Sequence, residues 1–330
     1  MKAAPPESTA ELRARAVRYL LLATIFWGVS FPVMRALNFT QQNLVPEAGS
    51  WFFASLGTFY RFGSAGLIML LIYFRGLKNL SRREVEQGFV LAFFGFGGIL
   101  LQMDGLAYTD ASISAFLTQG YCVFIPVWVA LVSQKSPSFK AAICIALVLT
   151  GVAVLAKLNL HSFKLGRGEL ETLLASLLFA GQILTLENPR YAANNSNNFS
   201  IFMFLLMALF ALPLVCLSAP NAGACLRAYA SLPAGGFMAI LVIFCTLVCY
   251  TVMNRWQKHI TATEAGLIYC LEPVGASVMS LFLPAIFSAW AKINYPNEIF
   301  TARLLIGGGL ITAANILLLS PFMEKTRGNT

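Results

Sequence analysis

Ten stretches of this 330-residue chain are apolar over roughly the 20 residues that a helix needs to cross the hydrocarbon core of a bilayer. They fall near residues 17–38, 51–74, 87–107, 111–133, 140–158, 168–188, 199–219, 235–255, 263–287 and 300–321. Lipid offers no partner to a backbone amide, so segments of this kind close their hydrogen bonds internally, as helices or as a sealed barrel. Membrane strands run about ten residues with strict alternation, whereas these segments are long, unbroken and rich in Leu, Ala and Phe. The chain is therefore expected to be an all-α integral membrane protein with ten transmembrane helices. Composition agrees: 58% hydrophobic and 11% charged residues, with a mean hydropathy of +0.72, leave too little polar surface to dress a water-soluble globule.

A duplication is superimposed on the spans. Ser-Ala-Phe-Leu-Thr-Gln-Gly-Tyr-Cys-Val from Ser114 and Ala-Gly-Leu-Ile-Tyr-Cys-Leu-Glu-Pro-Val from Ala265 match without gaps. The match sets Ala115 over Gly266, Leu117 over Ile268, Tyr121 over Glu272 and Cys122 over Pro273. A repeated unit with an odd number of spans inserts its two copies in opposite orientations, the internal symmetry of many secondary transporters. The expected organisation is a cytoplasmic segment 1–16, a first five-helix repeat 17–160, a linker 161–167, a second five-helix repeat 168–321 and a cytoplasmic tail 322–330.

Orientation follows from Lys and Arg in alternate loops. One side receives fifteen, in the segments holding Lys2 to Arg18, Arg75 to Arg83, Lys135 and Lys140, Arg190, Arg255 and Lys258, and Lys325 and Arg327. The other receives Lys157, Lys164, Arg167, Arg227, Lys292 and Arg303. Both termini are expected in the cytoplasm, in a multi-pass protein of the plasma membrane. The bias weakens at Lys164 and Arg167, which face the wrong way for the rule. The net charge of +9 is accounted for by these loops and calls for no nucleic-acid partner. Ser8 and Glu11, at capping-box spacing ahead of basic residues, suggest a short surface helix before the first span. Seven cysteines, among them Cys122, Cys144, Cys245, Cys249 and Cys270 in or beside spans, have no metal or redox spacing. His161 and His259 lie in loops on opposite sides. No cofactor, metal cluster or nucleophile–base set is expected, so the chain does not read as an enzyme.

Trp27-Gly28-Val-Ser-Phe31 in the first span, Arg61-Phe62 in the second, Ala107-Tyr-Thr109 before the fourth and Leu271-Glu-Pro-Val274 in the ninth resemble the EamA-type branch of the drug/metabolite transporter superfamily. The resemblance runs over nearly the whole chain. It implies two inverted five-helix repeats around a central pocket that opens alternately to either side. It implies little about substrate, since related transporters move amino acids, other metabolites and drugs. One departure is Cys122 where that family's pattern has proline, with Pro126 four residues later.

Arg61 and Glu272 sit about ten and nine residues into their spans, near mid-membrane. A charge there costs roughly 2.5–3.5 kcal/mol on insertion scales, so each must face a cavity or a partner. Each has two readings, a structural lock on helix ends or a kink, and a contact to substrate. Gln102 and Gln182 can pack helices or line a pocket, with Gly95, Gly98 and Gly105 on the Gln102 face. Trp27, Tyr60, Tyr121, Tyr250 and Tyr269 lie at intermediate depth and suit walls that grip a solute with an apolar body. Asp104 reads as an interfacial or loop-bonding carboxylate. Arg35, Asp110, Glu169, Glu171 and Glu187 lie near span ends, within reach of water.

The substrate-binding set expected from this reading is Trp27, Arg61, Gln102, Tyr121, Gln182, Tyr250, Tyr269 and Glu272. The function expected is secondary transport of a small polar or amphipathic metabolite, amino-acid-like or drug-like, by alternating access. Arg61 would hold a carboxylate or organise the counter-charge; Glu272 would bind an amine or a coupling proton. The rival readings are an integral-membrane lipid-modifying enzyme, which lacks a reactive cluster, and a passive channel, which lacks repeated charged rings.

Overall fold

The computed structural model describes residues 9–132, 139–155, 165–260, 265, 268, 269 and 271–319. Ser8, Lys2, Lys135, Lys157, His161, Lys164, Gly266, Cys270, Lys325 and Arg327 lie outside the described residues. Among those described, the regular structure is helical. Six helical segments are long and apolar enough to cross a membrane: Glu11–Leu44, Ser50–Asn79, Arg82–Gly105, Arg167–Glu187, Ser196–Ser218 and Leu232–His259. A seventh is added if Leu271–Ser280 and Leu283–Ala291, bent by 53° at their junction, form one span. Three shorter apolar helical stretches are Ala111–Ile125, which is interrupted within, Ala142–Leu155 and Ala302–Ala314.

The first helix, α1 (Thr9–Leu44), is continuous. The surface helix expected before the first span runs on into it: the basic residues from Arg13 to Arg18 ride on the same helix as Trp27. It tolerates Pro32, and the hydroxyls of Thr24 and Thr40 donate back to the carbonyls of Leu20 and Ala36. Next come α2 (Ser50–Tyr73), a short 3-10 turn to Asn79, and α3 (Arg82–Gly105). Helix α3 starts at a capping box, in which the Ser81 amide donates to Glu84 and the Glu84 amide to the Ser81 hydroxyl.

The stretch expected as one span at 111–133 is two helices, α4 (Ala111–Thr118) and α5 (Tyr121–Val132), broken at Gln119–Gly120. Then follow α6 (Phe139–Leu155), α7 (Arg167–Glu187), α8 (Ser196–Ser218) and the single turn α9 (Ala224–Arg227). The next apolar segment is α10 (Leu232–Val242), a π-helical stretch Ile243–Val248, and α11 (Cys249–Trp256). Ala265, Ile268 and Tyr269 are helical and lead into α12 (Leu271–Ser280), α13 (Leu283–Ala291) and α14 (Ala302–Leu319).

Helix α2 packs on α8, α3 on α7 and α8, α6 on α14, and α1 on α12, α10 and α11. Small residues permit the closest crossings. A Cβ on Gly28 would stand 3.0 Å from the Ala276 amide nitrogen and 3.1 Å from the Glu272 carbonyl, so glycine lets α1 touch the backbone of α12. Leu71, Ile72 and Leu217 point outward, as a lipid-facing surface requires.

Candidate functional site

The first and second halves of the chain meet around a cavity of about 60 Å3. From the first half it is lined by Trp27 and Ser30 of α1, Arg61 of α2, Ile99 and Gln102 of α3, Thr118 of α4 and Tyr121 of α5. From the second half come Phe179, Gln182 and Ile183 of α7, Tyr250 and Met253 of α11, Tyr269, and Glu272 of α12. All eight residues singled out from the sequence thus stand around one space.

The two charges in that wall are held very differently. Arg61, 1% exposed, donates from Nε to Thr246 Oγ1 at 2.6 Å and from one terminal nitrogen to the Cys245 carbonyl at 3.1 Å. The other terminal nitrogen meets Met34 Sδ at 3.3 Å, and the guanidinium lies over the Phe62 ring. Thr246 and Cys245 belong to the π-helical stretch, where the backbone ladder is shifted and a carbonyl is offered sideways. Arginine's rigid fork suits such a site because it fills two acceptors at once.

Glu272 is 8% exposed, and Gln119 Nε2 reaches its carboxylate at 3.5 Å. The same amide donates to the Tyr269 carbonyl at 3.2 Å, and Tyr121 Oη donates to Gln119 Oε1 at 3.0 Å. Gln119, at the break between α4 and α5, therefore ties the two copies of the duplicated motif to each other. Sequence reasoning passed over it, although it lies inside the first copy. None of the ion pairs among the described residues joins Arg61 to Glu272.

Trp27 meets the edges of Tyr250 and Tyr269, each with ring centroids 5.7 Å away, and forms an aromatic wall. Tyr269 Oη is anchored on Gln257 Oε1 at 2.9 Å. Gln102 donates to Thr118 Oγ1 at 3.1 Å. Gln182 approaches Met203 Sδ, and a Cβ on Gly95 would stand 2.8 Å from its amide nitrogen, so that glycine makes room for the side chain. Tyr60, outside the expected binding set, faces elsewhere. It packs edge-on against Tyr229 and does not line the cavity, because one step along α2 from Arg61 turns a side chain by about 100°.

At one end of the cavity the helices are laced by charge. Arg35 pairs with Asp110 at 2.9 Å and also donates to the Thr109 carbonyl, while Glu169 accepts from the Thr109 hydroxyl. Asp104 is fully buried within the protein and pairs with Arg167, at the start of α7, which also holds Glu171 at 2.8 Å. Glu298, in the loop before α14, takes the Ser112 hydroxyl, and burial pushes its carboxyl above the usual range.

Residues 14–157 match the family described as EamA-like transporter family. An uncharacterized transporter of Archaeoglobus fulgidus is 23% identical over 303 residues, covering 90% of this chain and 85% of its own. A protein of known crystal structure superposes with a TM-score of 0.60 at 14% identity, covering 92% of this chain and 96% of that one, which shows a shared fold. The apolar multi-pass helices, the match of residues 14–157 to an EamA-like transporter family and the likeness over most of the chain to a protein named as a transporter together support a membrane transporter.

Proposed function

We propose that the protein is a secondary transporter that binds a small polar or amphipathic metabolite in the central cavity and passes it across the plasma membrane by alternating access. In this reading the chain makes ten spans, as two inverted five-helix repeats with both termini in the cytoplasm. The observation that carries it is the shared wall: each half supplies four of Trp27, Arg61, Gln102, Tyr121, Gln182, Tyr250, Tyr269 and Glu272, so that motion of one half against the other would open the cavity to either side. The wall combines aromatic faces with two amides and one charge of each sign, which suits a solute with an apolar body and a few polar handles. Arg167, which weakened the charge bias, is neutralised locally by Asp104 and Glu171 and so does not count as a free loop charge.

Glu272 is the group we assign to an amine or a coupling proton, because its carboxylate keeps lone pairs that the protein leaves open to the cavity. Uptake into proteoliposomes, screened by competition among metabolites, tests the proposal. Saturable flux of one chemical class is expected. Flux that rises linearly with concentration for every solute would support a channel instead.

A further inference from the structure

A second, smaller cavity lies beyond the central one, lined by Gln87, Tyr191, Asn194, Asn254, Gln257 and Lys258 among others. Met253 lines both cavities and is 4% exposed. Beside it, Tyr269 of the central wall bonds to Gln257 of the smaller cavity, so the two cavities share one thioether side chain and are joined by one hydrogen bond. The lining of the smaller cavity mixes apolar side chains such as Leu186 and Phe199 with buried amides. Asn254 Oδ1 and Gln257 Nε2 have no protein partner, although these residues are only 5% and 2% exposed. Buried amides with unused hydrogen-bonding capacity mark a space built for water or a hydrated solute.

We infer that Met253, with the Tyr269–Gln257 hydrogen bond, is the inner gate of the central cavity, and that the Asn254–Gln257 space is the antechamber through which a hydrated polar solute passes on the cytoplasmic side. This rests on the transporter reading above and adds a direction to it. The antechamber sits beside Lys258 and near Arg190, on the side to which the basic loops assign the cytoplasm. Methionine suits the place: unbranched and flexible, it fills the passage in one rotamer and vacates it in another without moving a helix.

The test uses the full chain with its seven native cysteines replaced by alanine and Ser30→Cys as a reporter in the central cavity. A membrane-impermeant ammonium methanethiosulfonate is applied to inside-out and right-side-out vesicles. Adding Met253→Ala should speed labelling of the reporter at least tenfold from the cytoplasmic side and leave the rate from the other side unchanged. Met253→Leu, which conserves volume, should keep labelling slow and so controls for loss of fold. Equal acceleration from both sides, or none, would overturn the gate. Because labelling needs no substrate, failure of the uptake screen and failure of the gate are separate results.

Discussion

The two charged walls of the central cavity differ in how far the protein itself satisfies them. On one side Arg61 has its fork filled by Thr246 and the Cys245 carbonyl, with Met34 and Phe62 packed around it. On the other, Glu272 has a single long contact from Gln119. Both groups are held away from water, but only the first is met by several partners within the fold. The difference favours a structural reading for Arg61 and leaves the solute reading of Glu272 to experiment. Arg61 bonds the π-helical stretch of one half to α2 of the other, whereas Glu272, with fewer partners in the fold, is the group that the proposed function assigns to a solute.

The largest effect that would sharpen this contrast is loss of the lock. Arg61→Ala strands the Thr246 hydroxyl and the Cys245 carbonyl and leaves a void, a combined cost of about 3 kcal/mol or more. A lowered thermal midpoint and reduced yield of monodisperse protein in detergent are expected. An unchanged midpoint would show that Arg61 is not the anchor. Next comes the crossing that places Glu272. Gly28→Ala presses a methyl group against three backbone atoms of α12, the nearest at 3.0 Å, and should cost about 1–3 kcal/mol as the helices part. Gly275→Ala, whose added Cβ finds its nearest neighbour at 4.0 Å, should be close to neutral in the same unfolding assay. Equal behaviour of the two would remove the close crossing as the device that sets Glu272.

The smallest effect is expected at the surface. Glu47 pairs with Arg227 across the loop after α1, and its own backbone amide together with Arg227 holds its carboxyl below the usual 4.5. A depressed value contributes stability above the unfolded value and loses it as the pH falls through the folded one. Glu47→Gln should therefore cost little at neutral pH, less in high salt, and nothing in acid, as unfolding midpoints across a pH series would report. A large loss at neutral pH would mean that exposed charges matter here as much as buried ones.

Much of the cavity was legible because charge and amide groups deep in apolar segments have few places to go. Several residues that reading omitted were legible too. Ser30, Ile99, Phe179 and Met253 each lie three positions from a residue that was named, on the same helical face. The same periodicity separates Tyr60 from Arg61. What local sequence conceals is backbone irregularity. The break at Gln119–Gly120 carries no proline at the break, and nothing in Ile-Phe-Cys-Thr-Leu-Val announces a π-helical stretch, since the acceptors it exposes are met by Arg61 from a distant helix. The burial of Asp104 was hidden for a similar reason: its partner, Arg167, lies 63 residues along the chain.

The most direct test of the account compares Glu272→Gln with wild type in two measurements on one preparation, the thermal midpoint in detergent and solute uptake in proteoliposomes at matched reconstitution. The amide preserves shape and can still meet Gln119, so the midpoint should correspond to a change within about 1 kcal/mol while uptake is lost. A midpoint that falls in step with uptake would make Glu272 a structural lock like Arg61, and retained uptake would remove it from the solute site; either result would contradict the division of labour between the two walls.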